Sequence, residues 1–302
     1  MSTGSVASGI GVLDRAAHEG FALSGLKARL AFANEIREDC TEHMSARNPV
    51  VDDRTIMLNA PLQEVAFDPW LMEQVPRVDV LSGGIPCSAA SRAGKAKRGS
   101  SHAEADPLVG HLVVGFLAII AKTQPIAVVL ENVPTWGTSA SMHILTNQLT
   151  DLGYVVHSTH LRSKDWNTVE HRERLCVVAV TKGIDFSFDS LERPLPQERR
   201  FAEIMDEVPA DSPCWGTMQY LKDKRERDEA AGSNFKMTVV DGDSTSVPCL
   251  NKTLWKRQST GTFVRHPTDP ELLRIPTVAE HARAKAIWPE MAEGLGVTSG
   301  TK

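Results

Sequence analysis

Short apolar runs alternate with amphipathic stretches through the first two-thirds of the chain. Val78-Asp79-Val80-Leu81 reads as a short strand closed by Ser82-Gly83-Gly84. Pro107 to Thr123 carries apolar residues at helical spacing and stops before Gln124-Pro125. Ile126 to Leu130 is a continuous apolar run, as in a strand buried on both faces. Val155-Val156 and Leu175-Cys176-Val177-Val178-Ala179-Val180 continue the series. Strands alternating with helical patterns predict βαβ units, hence an α/β fold with a doubly wound, mostly parallel, Rossmann-like sheet. Ligands of such sheets sit at the carboxyl ends of the strands.

The pattern changes after about Lys182. Residues 184–262 are rich in Pro, Gly, Asp and Ser, and Lys222 to Glu229 is a charge-dense run. That run reads as a solvated helix face with mixed-sign pairs. Helical periodicity returns at Thr277 to Ile287. The expected organisation is a first domain over 1–183, a small irregular region over 184–262, and a return to the first domain over 263–302.

Composition narrows the class. The 302 residues hold 33 Lys and Arg against 38 Asp and Glu, a formal net charge of −5. This fits a globular protein and argues against one that coats polyanions, but leaves room for a nucleic-acid enzyme with locally clustered cations. The five cysteines, Cys40, Cys87, Cys176, Cys214 and Cys249, form no CxxC pair. No zinc site or disulfide framework is expected, and each thiol is free for chemistry in a reducing compartment. The start MSTGSVASGIG has no leader pattern, and the run Leu112 to Ala121 is about half of a bilayer span. A cytoplasmic protein with no membrane partner and no metal is the expectation.

Four segments carry candidate chemistry. Ser8-Gly9-Ile10-Gly11-Val12 is a glycine turn before a helical pattern, where backbone N–H groups can approach a ligand. Asn34-Glu35 follows the apolar run Leu30 to Ala33, placing an acid where a ribose hydroxyl pair is usually held. Gly83-Gly84-Ile85-Pro86-Cys87-Ser88 puts a thiol just past a strand end, with Arg92, Lys95, Lys97 and Arg98 among glycines behind it. A thiolate is favoured by such cations, and the loop suits phosphate contacts. Leu130-Glu131-Asn132-Val133-Pro134 ends an apolar strand on a carboxylate, whose desolvation there would favour proton donation. Glu170-His171-Arg172-Glu173-Arg174-Leu175 leads into a strand, so Arg172 and Arg174 share a face if the strand begins there.

In this order the segments resemble the cytosine-5 DNA methyltransferase family. The signature is Pro-Cys after a Gly-Gly strand end, then Glu-Asn-Val, then Arg-x-Arg before a strand. Arg274-Ile275-Pro276-Thr277-Val278-Ala279-Glu280-His281-Ala282-Arg283 is similar to the family's penultimate motif, and Pro248 to Leu254 resembles the end of its target-recognition region. The resemblance implies a methyltransferase sheet binding S-adenosylmethionine through Ser8, Gly9, Ile10, Gly11, Glu35, Ile36 and Pro86. It implies Cys87 as nucleophile at carbon-6 of a flipped cytosine, Glu131 at ring nitrogen 3, Arg174 at the base carbonyl and Arg172 as a brace. Duplex DNA is the implied partner, touched by Ser88, Arg92, Lys95, Lys97, Arg98, Lys252, Thr253, Lys256 and Arg257. A restriction-modification enzyme of prokaryotic or phage type fits this reading.

The sequence also departs from the family. Ser88 stands for the usual Gln, Val12 for a further glycine, Pro61 for an acid, and Val169 and Glu170 for Pro and Gln. The last family motif is not found after residue 290, so a second chain or a missing C-terminal segment is an expected supplier. A catalytically inactive or split-subunit DNA-binding relative, and an RNA cytosine-5 methyltransferase of the same fold, are the alternatives.

Overall fold

A computed structural model describes residues 1–86, 111–232, 237–250 and 254–296. The chain divides into two compact units, 1–161 with 173–192, and 162–172 with 193–302. This division differs from the one expected from composition. Residues 263–296 share the second unit, and polar pairs tie them to its earlier segments: Arg283 with Asp206 and Lys285 with Glu170. Within them, Arg274 grips Glu280 through two buried hydrogen bonds of 2.7 and 2.6 Å.

The first unit is built on a seven-stranded sheet. Its strands are β1 (Ser2–Val6), β2 (Arg29–Asn34), β3 (Ile56–Leu58), β4 (Val80–Gly83), β5 (Ala127–Asn132), β6 (Tyr154–Arg162) and β8 (Glu173–Thr181), in the order β3-β2-β1-β4-β5-β8-β6. Pairing is parallel from β3 to β5, and β8 runs antiparallel to β5. The order reverses between β1 and β4, which makes their carboxyl ends the ligand crevice of a doubly wound sheet. Helix α1 (Val12–Leu23) follows β1, and α5 (Leu112–Thr123) precedes β5. Leu81, Phe116, Ile119, Leu130, Leu145 and Val177 belong to one buried cluster between sheet and helices.

The strand predicted from Val78 begins at Val80 and reaches Gly83, while the run from Ile126 extends to Asn132. Glu131 and Asn132 are therefore strand residues. The central strand β1 has no apolar pattern, yet Thr3 and Ser5 are buried. Thr3 Oγ1 hydrogen-bonds His18 Nε2 at 2.8 Å and donates to the carbonyl of Arg29, and the Ser5 hydroxyl donates to Asp14 at 3.1 Å. Satisfied hydroxyls can occupy a buried strand at little cost.

The second unit joins β7 (Glu170–His171) to β10 (Val247–Pro248) in parallel, and β9 (Thr238–Val240) to β11 (Thr262–Arg265) and β12 (Leu273–Arg274). Phe201, Val247 and Val264 anchor one core, and Leu221, Phe263 and Leu273 another. Helix α7 (Gln219–Ala230) carries the charged run, with Lys224–Asp228 and Arg225–Glu229 paired one turn apart as expected. No helix among the described residues is long and apolar enough to cross a membrane.

Candidate active site

The crevice at β1 and β4 is shaped by the turn from Ala7 to Gly11. Gly9 has φ +57° and Gly11 φ +75°, both in the left-handed region. A Cβ on Gly11 would stand 2.4 Å from Asn48 Nδ2 and 2.5 Å from Met44 Cε, whereas one on Gly9 meets nothing within 4 Å. The turn is closed from within and open at Gly9. Asn48 Nδ2 donates to the carbonyls of Ile10 and Gly11 at 3.1 and 2.8 Å, and the Ser8 hydroxyl donates to the Asn34 carbonyl at 2.8 Å.

Glu35 lies at the end of β2 and joins this turn. Its Oε2 accepts from Gly9 N–H at 2.8 Å and its Oε1 from Arg37 N–H at 3.0 Å. Each oxygen keeps a second lone pair for a hydroxyl donor. Ile36 beside it is 62% exposed, an apolar face left open at the crevice, and Pro86 is exposed past β4. Of the seven cofactor residues expected from the sequence, Ser8, Gly9, Gly11 and Glu35 lie together in this turn and at the β2 end. Asn34, next to Glu35, fastens the β2 end through its amide to the Leu58 and Ala60 carbonyls, and Asn48, far from the glycine turn in sequence, fastens the turn with no motif to mark it.

Asp14 was also not singled out. It sits in the first turn of α1, 3% exposed, and accepts from Ser5 at 3.1 Å and Ser82 at 3.0 Å. Burial outweighs these hydrogen bonds and pushes its carboxyl up to about 6. It ties α1 to β1 and β4 directly beneath the crevice.

At the neighbouring strand ends, Asn132 Nδ2 donates to the Ile85 carbonyl at 3.2 Å, fixing the segment that leads into Pro86. Cys87 itself lies outside the described residues, as do Ser88, Arg92, Lys95, Lys97, Arg98, Lys252 and Thr253. Glu131 Oε1 meets Arg174 Nε at 2.8 Å. The antiparallel register sets this, since Glu131 is opposite Cys176 and Asn132 opposite Leu175. The Glu131 side chain is partly buried, 38% exposed, one residue past the apolar run that ends at Leu130. Cys176 is held inert, its thiol pushed up to about 11 by burial and by the Glu131 charge.

The strand begins at Glu173, one residue after Arg172, so it does not include both arginines. The chain leaves strand pairing at Arg172, whose N–H donates to Ser163 Oγ at 2.7 Å while its carbonyl accepts from Ser163 N–H at 2.8 Å. Arg174 pairs with Glu131, whereas Arg172 Nη1 reaches Cys249 Sγ at 3.9 Å within the second unit. There too, the Lys256 ammonium lies 5.0 Å over the Trp255 ring, and Arg257 follows in the left-handed region at φ +47°.

Comparison with known proteins fits this geometry. A family model described as C-5 cytosine-specific DNA methylase matches residues 1–285. The type II methyltransferase M1.ScrFI of Lactococcus lactis subsp. cremoris is 27% identical over 194 residues, covering 61% of this chain and 48% of that protein. The type II methyltransferase M.HpaII of Haemophilus parainfluenzae is 30% identical over 175 residues, covering 55% and 47%. The chain thus spans about half the length of these curated relatives. Among solved structures, the Dnmt2 methyltransferase of S. pombe superposes with a TM-score of 0.72 at 14% identity, over 100% of this chain and 90% of that one. The Entamoeba histolytica methyltransferase EhMeth gives 0.69 at 16%, over 98% and 90%. At these identities the superpositions speak for the fold.

Proposed function

The chain belongs to the C-5 cytosine-specific DNA methylase family, and from that premise we propose that it methylates carbon-5 of cytosine in duplex DNA, using S-adenosylmethionine and a covalent adduct at Cys87. The observation that carries this reading is the Glu131–Arg174 pair at the carboxyl end of β5, in the sheet whose β4 leads through Pro86 to Cys87. A carboxyl group and a guanidinium held 2.8 Å apart suit the donor and acceptor edges of one pyrimidine.

The residues at the crevice fit the cofactor. Open space above Gly9, the exposed Ile36 and the lone pairs left on Glu35 suit a nucleoside with an apolar ring face and vicinal hydroxyls. When bound, S-adenosylmethionine supplies the methyl group. Ser8 to Gly11, Glu35, Ile36 and Pro86 would hold it.

The remaining chemistry belongs to the chain. The Cys87 thiolate adds to carbon-6 of a cytosine turned out of the helix, which makes carbon-5 nucleophilic. Glu131 holds a proton at ring nitrogen 3, Arg174 hydrogen-bonds the ring carbonyl, and Arg172 braces the base-binding residues. Loss of the carbon-5 proton then expels the thiolate. Ser88, Arg92, Lys95, Lys97 and Arg98, with Lys252, Thr253, Lys256 and Arg257, contact the DNA. The cytoplasm is the compartment this reading assigns.

Transfer of labelled methyl groups, measured on duplex DNA and on structured RNA side by side, tests the proposal. Label at cytosine carbon-5 of duplex DNA is expected. Label confined to RNA, or no transfer together with no calorimetric binding of S-adenosylmethionine, overturns it.

A further inference from the structure

The pairing of β7 with β10 is two residues long, with Val247 opposite Glu170 and Pro248 opposite His171. Two residues are too few to hold a register alone. Something else must fix it, because a slip by one residue would turn every following side chain to the opposite face.

Glu170 supplies the constraint. It is 1% exposed, and its Oε1 accepts from Leu250 N–H at 2.7 Å, two residues past the end of β10. The same oxygen takes Lys285 Nζ at 2.5 Å, from just beyond helix α8 (Val278–Ala284). His281 of α8 reaches the Leu250 carbonyl at 3.4 Å. Cys249, between Pro248 and Leu250, is thereby delivered to Arg172 Nη1, while Ser163 clamps the Arg172 backbone at both N–H and carbonyl.

Lys285 is mostly buried, and this desolvation lowers its pKa despite the Glu170 charge; Arg172 adds to the lowering. His281 is likewise lowered by burial and by Lys285. Lys285 is thus the cation paired with a buried carboxylate. Buried ion pairs add little net stability, and what they can give is a single geometry.

We infer that Glu170 and Lys285 are positioning residues for Arg172: their pair locks the register of the 247–250 segment and so holds Cys249 against the Arg172 guanidinium. Neither touches substrate. The inference rests on the proposed function only for what Arg172 then does.

The test compares wild type, E170Q, K285M and the double variant E170Q/K285M in the full chain. Two readouts are taken: hydrogen exchange of the Leu250 amide, which is buried on Glu170 Oε1, and kcat and KM for methyl transfer to duplex DNA. K285M leaves a buried carboxylate without its cation, so exchange at Leu250 should rise about tenfold through local opening. Its kcat should fall by about the same factor, with KM for S-adenosylmethionine unchanged. The double variant keeps an acceptor for Leu250 N–H and buries no charge, so it should recover both readouts to within about threefold.

Unchanged Leu250 exchange in both single variants overturns the inference, and so does a double variant no better than K285M. If K285M does not fold, a folded double variant supports the pair and an unfolded one overturns it. If wild type transfers no methyl group while the Leu250 pattern appears, the proposed function falls and the pair stands.

Discussion

Asp14 shows how far one buried side chain can shape behaviour. Its carboxyl ionises at about 6 in the fold, against an ordinary 3.8. Between those values the native protein keeps a proton that the unfolded chain has released. The contribution of Asp14 to stability is therefore fully present at low pH and is lost as pH rises from about 3.8 through about 6, by about 3 kcal/mol in all. Asp14→Asn removes the titration while keeping a polar partner for Ser5 and Ser82. Thermal unfolding should show wild type losing stability from pH 5 to 7 and the variant losing much less, so that the variant is the more stable at pH 8. Parallel curves would assign the slope elsewhere. Glu131, Arg172 and Arg174 were legible as site candidates because the strand patterns and the motif order mark them. Asp14 was not, since a single acid in an amphipathic helix looks like a surface residue until Ser5 and Ser82 are seen to close over it.

Among the elements, the turn between β1 and α1 illustrates what local sequence can and cannot convey. Its glycines announce a left-handed turn, but not which of them is enclosed. Gly11→Ala forces a left-handed alanine whose Cβ meets Asn48 and Met44, and Asn48 holds the turn's carbonyls. Gly9→Ala carries only the backbone strain, about 1 kcal/mol. Denaturant unfolding should show Gly11→Ala costing at least about 2 kcal/mol more than Gly9→Ala. Equal costs would mean the turn is not enclosed at Gly11. β5 and β8 were readable from their continuous apolar runs. β1 was not, although it is the strand at the crevice, because Thr3 and Ser5 are made fit for burial by His18, Arg29 and Asp14, which lie elsewhere in the chain. The two-residue strands β7 and β10 are shorter than any periodicity can register, and their pairing depends on Glu170 and Lys285.

For the molecule as a whole, the net charge of −5 is an average over unequal parts. The positive segments that the proposal assigns to DNA contact are local, and the average does not describe them. The α/β class was legible from the alternation of strand and helix patterns. The unit boundaries were not, because Arg274–Glu280, Arg283–Asp206 and Lys285–Glu170 join positions that composition alone cannot relate. The account's central claim is that Cys87 attacks cytosine while the pair at Glu131 and Arg174 holds the base. A duplex carrying 5-fluorocytosine tests it most directly, because fluorine at carbon-5 cannot leave as a proton does and the adduct is trapped. With S-adenosylmethionine present, a denaturation-resistant protein–DNA adduct is predicted, mapping by mass spectrometry to Cys87 and absent from Cys87→Ser. An adduct that persists in Cys87→Ser, one that maps to another residue, or methyl transfer with no adduct at all would contradict it.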